Sequence, residues 1–323
     1  MQPEVVDAIG TLRQKAILGD PPASHLLRVA RGDLVSVRLE IRALLYLGVL
    51  LLTTGVGLFL KMNHDRIGPA AIASGIGLLA AACFVQVVRR AAPFTWDRAP
   101  DPGVAFDYVL LLGLLLVASD LAYVEVQFRI FGPEWPYHLL AVSLLCLVAA
   151  FRWDSTMALG LALTSFAAWR GVAVNVLKGA LGPGRPEETR WNAIACGLTF
   201  VALGVALVRT RKKPHFEEVW VNFGLLLLLG GLLSGAFQDG SFWGAWLAAL
   251  AVVSAIVIWR AFRAAKTLYF AEGVTAAYLG SLRLLFEAFR NLHSGSGFAL
   301  VVAASAAGVL LLIVAAHRRM KSP

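Results

Sequence analysis

Apolar runs long enough to cross a bilayer recur along this chain, and no other feature constrains its fold as strongly. A spanning helix needs about 20 apolar residues, with a range of about 17–25. Ten stretches meet or approach that length: 44–60, 67–88, 104–124, 137–151, 156–176, 191–208, 219–237, 242–259, 268–286 and 297–316. Within lipid every backbone N–H and C=O must be satisfied inside the segment itself, which selects helix for each. The composition agrees: of 323 residues, 59% are hydrophobic and 15% charged. A soluble domain carries about 45–50% and about 25%. The expected fold is therefore all-α, a polytopic transmembrane helical bundle of about ten spans. Residues 1–41 form a cytosolic or interfacial helical lead and 42–323 the membrane domain.

The net charge of +9 could point to nucleic acid, but Lys and Arg gather at the ends of the apolar runs, where they orient the chain against anionic lipid. With the N-terminus inside, 20 of the 29 basic residues fall on the inner side, 7 on the outer, and Arg170 and Arg283 within spans. This asymmetry predicts that both termini are cytoplasmic. Membrane lipids and other membrane-protein subunits are the expected partners, and nucleic acid is not.

No signal peptide is visible at the start, so the first span is expected to act as an uncleaved insertion signal. In the lead, Val5, Ile9, Leu12 and Ala16 repeat at helical spacing up to Gly19 and Pro21-Pro22, and a second helix is expected over 24–40. Cys83, Cys146 and Cys196 each sit inside an apolar run, with no cysteine or histidine at ligand spacing. They read as small core residues. Gly231 and Gly235 form a small-xxx-small pair, and glycines also recur at 55, 57, 75 and 77. Mid-span glycines point to close helix packing, not to a nucleotide fingerprint, which needs a strand and a turn.

An ionisable residue within a span is costly, so it has a partner or a purpose. Asp120, Arg170, Glu272 and Arg283 form the candidate intramembrane polar site. In the predicted orientation Asp120 and Arg170 reach a similar depth, so they could pair across two helices, with His138 or Asn175 nearby; a structural bridge and a snorkelling Arg170 are the alternatives. Glu272 and Arg283 are eleven residues apart, which places them on one face about 16 Å apart. Arg283 has Glu287 as an i,i+4 partner. Glu272 lacks one, leaving Lys266 or another helix, and is the best candidate for a proton- or ion-linked role.

The run 209–218 holds the densest charge, with His215 and Glu218 at i,i+3 as a two-ligand metal edge. One pair without a third ligand does not make a site, and a solvated, lipid-anchoring turn is expected. Trp135, Trp191, Trp243 and Tyr137 fall at span ends, as an aromatic belt requires. The sequence contains no Gly-x-Ser-x-Gly, His-Glu-x-x-His or Cys-x-x-Cys motif, so no catalytic residue, cofactor or metal is assigned.

Two segments carry a resemblance. The first runs from Arg42-Ala43-Leu44-Leu45-Tyr46-Leu47-Gly48 through Gly55-Val56-Gly57-Leu58-Phe59 to Asn63-His64-Asp65-Arg66-Ile67-Gly68-Pro69. The second is Asn222-Phe223-Gly224-Leu225. Together they resemble bacterial predicted membrane proteins of the domain-of-unknown-function 2157 family, with His64 standing where that family has an aromatic. The resemblance is close over the first two spans and loose beyond. It implies a multi-pass protein of the bacterial cytoplasmic (inner) membrane and carries no catalytic residue over. Three roles compete: a non-enzymatic structural or accessory component of a membrane assembly, which the short loops and missing motifs favour; a small-solute, lipid or ion transporter using the intramembrane charges; and an enzyme acting on lipid.

Overall fold

A computed structural model describes residues 38–100, 104–130, 136–172, 186–238, 240, 242–290 and 295–321. The expected lead helices over 3–19 and 24–37, together with Trp135, Asn175 and the end of the fifth predicted span, lie outside them. Among the described residues the secondary structure is all helical: ten α-helices and one 3-10 turn. They are α1 (Arg38–Ile67), α2 (Pro69–Arg90), α3 (Val104–Phe128), α4 (Tyr137–Trp153), α5 (Thr156–Trp169), α6 (Pro186–Thr210), α7 (Glu217–Ala236), α8 (Trp243–Arg263), α9 (Thr267–Arg290) and α10 (Gly295–Lys321), with the 3-10 turn Pro214–Phe216 before α7.

Among the described residues each of the ten apolar stretches has a helix along most of its length, the fifth as far as Trp169. Among the described residues six segments are long and apolar enough to cross a membrane: those of α2, α3, α6, α8 and α10, and Pro214–Ala236, which contains α7. The apolar part of α1, and α4 and α5, are shorter. At 1.5 Å per residue the 17 residues of α4 reach about 25 Å, below the roughly 30 Å of a hydrocarbon core.

The chain divides into two compact units, Met1–Gly68 and Pro69–Pro323. The first unit contains α1. The second is built from antiparallel neighbours: α2 with α3, α4 with α5, α6 with α7, and α8 with α9, with α10 laid along α9. Its core has two parts. Leu110, Leu114, Cys146, Leu159, Phe200 and Trp220 join α3 to α7 in one cluster, and Ile194, Leu228, Leu250 and Ala276 join α6 to α9 in the other. Outside these clusters large apolar side chains stay exposed, Leu78 at 72% and Leu311 at 70% among them. Water would not tolerate such an array on a protein of this size, and lipid does.

Glycine sets the helix spacing. Gly197 and Gly204 on α6, and Gly224 and Gly231 on α7, each lie seven residues apart and interlock along one antiparallel seam. A Cβ on Gly197 would lie 2.6 Å from the Leu228 nitrogen and 2.7 Å from the Gly224 oxygen. The sequence pair Gly231 and Gly235 is shared between two neighbours: Gly231 meets Ile194 of α6 and Gly235 meets the Trp246 ring of α8. Gly273 and Gly280 repeat the seven-residue device on α9, against Ile258 and Leu250 of α8. Between helices in lipid there is no hydrophobic driving force, so the van der Waals contact that such close approach allows is a main source of their attraction. Along α10, Tyr278 Oη donates to the Val302 carbonyl at 3.0 Å, and His317 Nδ1 lies 3.0 Å from Thr267 Oγ1.

Candidate functional site

The four sequence candidates do not converge on one site. Arg170 ends α5 and turns its guanidinium toward the start of α6. Its Nη2 donates to Asn192 Oδ1 at 2.8 Å, and Asn192 Nδ2 donates back to the Arg170 carbonyl at 2.8 Å. Asp120, half-buried on α3, faces α2 instead, with Oδ2 3.5 Å from where a Cβ on Gly77 would stand. Its Oδ1 is buried without a hydrogen-bond partner. Asp120 and Arg170 are therefore not an ion pair: α5 stops at Trp169, and its last side chain reaches α6 while Asp120 occupies the space that Gly77 leaves.

Arg283 follows expectation. Its Nη2 lies 2.8 Å from Glu287 Oε1, one turn on, and its guanidinium stands 5.3 Å from the Trp243 ring. Glu272 finds no such partner, because Lys266 is taken by Glu218 across the loops that open α7 and α9. Glu272 lines a groove of about 400 Å³ between α7 and α9, and its Oε2 is buried without a hydrogen bond. The face that Glu272 and Arg283 share is thus split between a groove against α7 and a packed contact with α8.

A second polar centre, at the basic end of the bundle, was not apparent from the sequence. Asp154 sits in the two-residue turn between α4 and α5, left-handed at φ 60°. Its Oδ1 accepts from Lys213 Nζ at 2.9 Å and contacts His215 Nε2 at 2.6 Å, and its Oδ2 accepts from the Ala99 amide at 2.6 Å. An ionised carboxylate only accepts, so Nε2 of His215 carries the hydrogen in this contact. The Lys213 side chain is 1% exposed and that of Asp154 7%. The Lys213 backbone, also left-handed at φ 48°, donates its N–H to the Trp96 carbonyl at 2.8 Å. Phe94 and Phe216 flank the ammonium at 5.5 and 6.0 Å.

This arrangement corrects the expectation of a solvated turn over 209–218. Arg209, Arg211 and Lys212 are exposed, whereas Lys213 is among the most deeply buried side chains of the protein. The i,i+3 pair also diverges, His215 to Asp154 and Glu218 to Lys266. Burial works to raise the Asp154 carboxyl, but the Lys213 hydrogen bond, the Ala99 amide and the positive field of His215 and Lys213 outweigh it and hold the group below its ordinary 3.8. The cluster thereby pins three connections together: 91–100, 154–155 and 211–216.

At the opposite end Arg190 is buried, its guanidinium 5.2 Å from the Trp246 ring, which in turn packs on Trp191 at 5.3 Å. Cys146 and Cys196 are buried, Cys83 is half-buried, and all three are free. Among the described residues no group of three or more His, Cys, Asp or Glu is placed to hold a metal ion.

Fold and site together define a multi-pass α-helical membrane protein whose charged side chains are concentrated at the helix ends. Comparison of the chain with family models, curated proteins and solved structures gives no match.

Proposed function

We propose that the chain is a ten-span protein of the bacterial cytoplasmic membrane, with both termini in the cytoplasm, serving as a non-enzymatic structural or accessory component of a membrane assembly. One observation carries this reading: the polar side chains at the helix ends are engaged in joining helices. Asp154 holds Lys213 and His215, Glu218 holds Lys266 and Asn192 holds Arg170. The glycine seams close the space between α6 and α7, between α7 and α8, and between α8 and α9. A rigid bundle of this kind presents a fixed surface.

The span count draws on packing. α9 carries Glu272 and Arg283, which keeps it outside the six plainly apolar segments. Yet it lies antiparallel to both α8 and α10, two helices that do qualify, and must cross the same thickness as they do. The short hairpin α4–α5 is packed against α3, α6 and α7, with Cys146 and Leu159 fully buried, and local thinning of the bilayer accommodates its length. The likeness to the domain-of-unknown-function 2157 family supports the bacterial inner membrane.

Two measurements test the proposal. Purification of the full chain in a mild detergent is expected to bring down a second polypeptide in fixed stoichiometry. A chain that purifies alone and conducts a solute in proteoliposomes overturns the assembly role in favour of transport, the reading that the unpartnered Glu272 carboxyl favours. In a background with the three native cysteines replaced, Arg211→Cys is expected to react with an impermeant maleimide only once the cytoplasmic side is opened. Reaction from the outside of intact cells reverses the orientation.

A further inference from the structure

The groove between α7 and α9 has a chemistry that packing does not explain. Both helices run away from the basic end. Leu226, Leu229 and Leu233 of α7 face Thr275 and Leu279 of α9, so most of the wall is hydrocarbon. Glu272 lies five residues into α9, about 8 Å from its start, and Leu279 about 10 Å farther along. The groove therefore has an apolar length and one charged end.

Glu272 Oε2 at that end is buried without a hydrogen-bond partner, and so are Tyr269 Oη and Asn222 Oδ1 on the adjoining turns of α9 and α7. Tyr269 precedes Glu272 by three residues and so shares its face of α9. Asn222 precedes Leu226 by four and continues the groove stripe of α7. All three atoms accept hydrogen bonds. Lys266, the basic residue at the start of α9, is occupied by Glu218. Tyr269 also lies within electrostatic reach of Glu217, Glu218 and Glu272.

The geometry points to a binding site for a membrane lipid with a primary-ammonium headgroup, its ammonium at Glu272, Tyr269 and Asn222 and an acyl chain along Leu226, Leu229 and Leu279. A primary ammonium brings three N–H donors and one positive charge to a place that offers acceptors and a carboxyl group. A quaternary choline headgroup brings the charge without a donor. An anionic headgroup without an amine brings repulsion. The hydrocarbon wall accepts the chain that any such lipid carries.

The site depends neither on the assembly role nor on the orientation proposed above, because lipid retention is read on the purified chain whichever leaflet the groove faces. In native mass spectrometry of the full chain from nanodiscs holding equal phosphatidylethanolamine and phosphatidylcholine with matched acyl chains, one phosphatidylethanolamine is expected to stay bound with a preference of about tenfold. Glu272→Gln keeps the side-chain shape and is expected to erase that preference. Leu229→Trp fills the groove and is expected to remove both lipids, with helix content by circular dichroism confirming the fold of each variant. Equal retention of the two lipids by the wild type overturns the site, as does a preference that survives Glu272→Gln. A co-purifying polypeptide crosslinked to Leu226 in place of lipid overturns it as well.

Discussion

Adding a single methyl group at Gly197 is expected to cost about 3 kcal/mol of folding stability, at the upper end of what overpacking a closed core normally produces. The new Cβ would meet main-chain atoms, the Leu228 nitrogen at 2.6 Å and the Gly224 oxygen at 2.7 Å. A side chain can swing aside, whereas the backbone of a neighbouring helix moves only if the helices separate. Separation undoes the van der Waals contact that is their main attraction in lipid. Gly273→Ala provides the intermediate case. Its Cβ would lie 2.9 Å from the Ile258 Cγ1, a side-chain atom that a small shift can move, and 3.4 Å from the Ile258 nitrogen. Gly244→Ala is the control, with no heavy atom within 4 Å, and alanine's better helix propensity makes it neutral or slightly stabilising. Unfolding in mixed micelles followed by circular dichroism should rank the three in that order. A Gly197→Ala protein as stable as the wild type would mean that α6 and α7 do not approach as closely as the seam requires.

The sequence carried the helices plainly because lipid imposes a local rule. A run of about 20 apolar residues declares itself without reference to anything distant, and among the described residues each of the ten runs carries a helix. What each helix faces is not a local property. The sequence marked Gly231 and Gly235 as one pair, but α7 is packed between α6 and α8, and the two glycines serve different neighbours. Gly197, Gly204, Gly273 and Gly280 repeat every seven residues, a spacing that a search for small-xxx-small passes over. The charges divide in the same way. Arg283 and Glu287 are four residues apart and their contact follows from helix geometry. Glu272 was recognisable as an isolated acid, although the groove beside it depends on α7, whose groove-lining residues lie some 40–50 positions earlier in the chain.

The Asp154 centre shows the limit most clearly. Asp154 lies 59 residues from Lys213 and 61 from His215, and both ends of the contact sit in turns, where periodicity gives no direction. One trace was present: Lys213 precedes Pro214, which bars it from continuing the helix above it. Lys213 instead adopts a left-handed conformation costing about 1–2 kcal/mol, a cost that the buried contacts must offset.

Removing either partner of that buried pair is expected to destabilise the bundle by about 3–5 kcal/mol, because the other is left as an uncompensated charge. Lys213→Met leaves the carboxylate with only His215 and the Ala99 amide, and Asp154→Asn leaves an ammonium at 1% exposure. The double variant Asp154→Leu with Lys213→Met buries neither charge and should recover most of the loss, a non-additivity that distinguishes direct pairing from two independent defects. Acid supplies the complementary test. With its carboxyl held below the ordinary 3.8 in the folded protein, Asp154 contributes stability that is complete above that value and is lost as pH falls through the lower folded one. The wild type should therefore lose stability from about pH 4 downward by an amount that Asp154→Asn no longer shows, read as the pH dependence of the unfolding midpoint in mixed micelles. Identical acid profiles for the two proteins, or single and double variants that simply add, would mean that the carboxylate does not hold Lys213, and the three connections at the basic end would need another explanation for their closure.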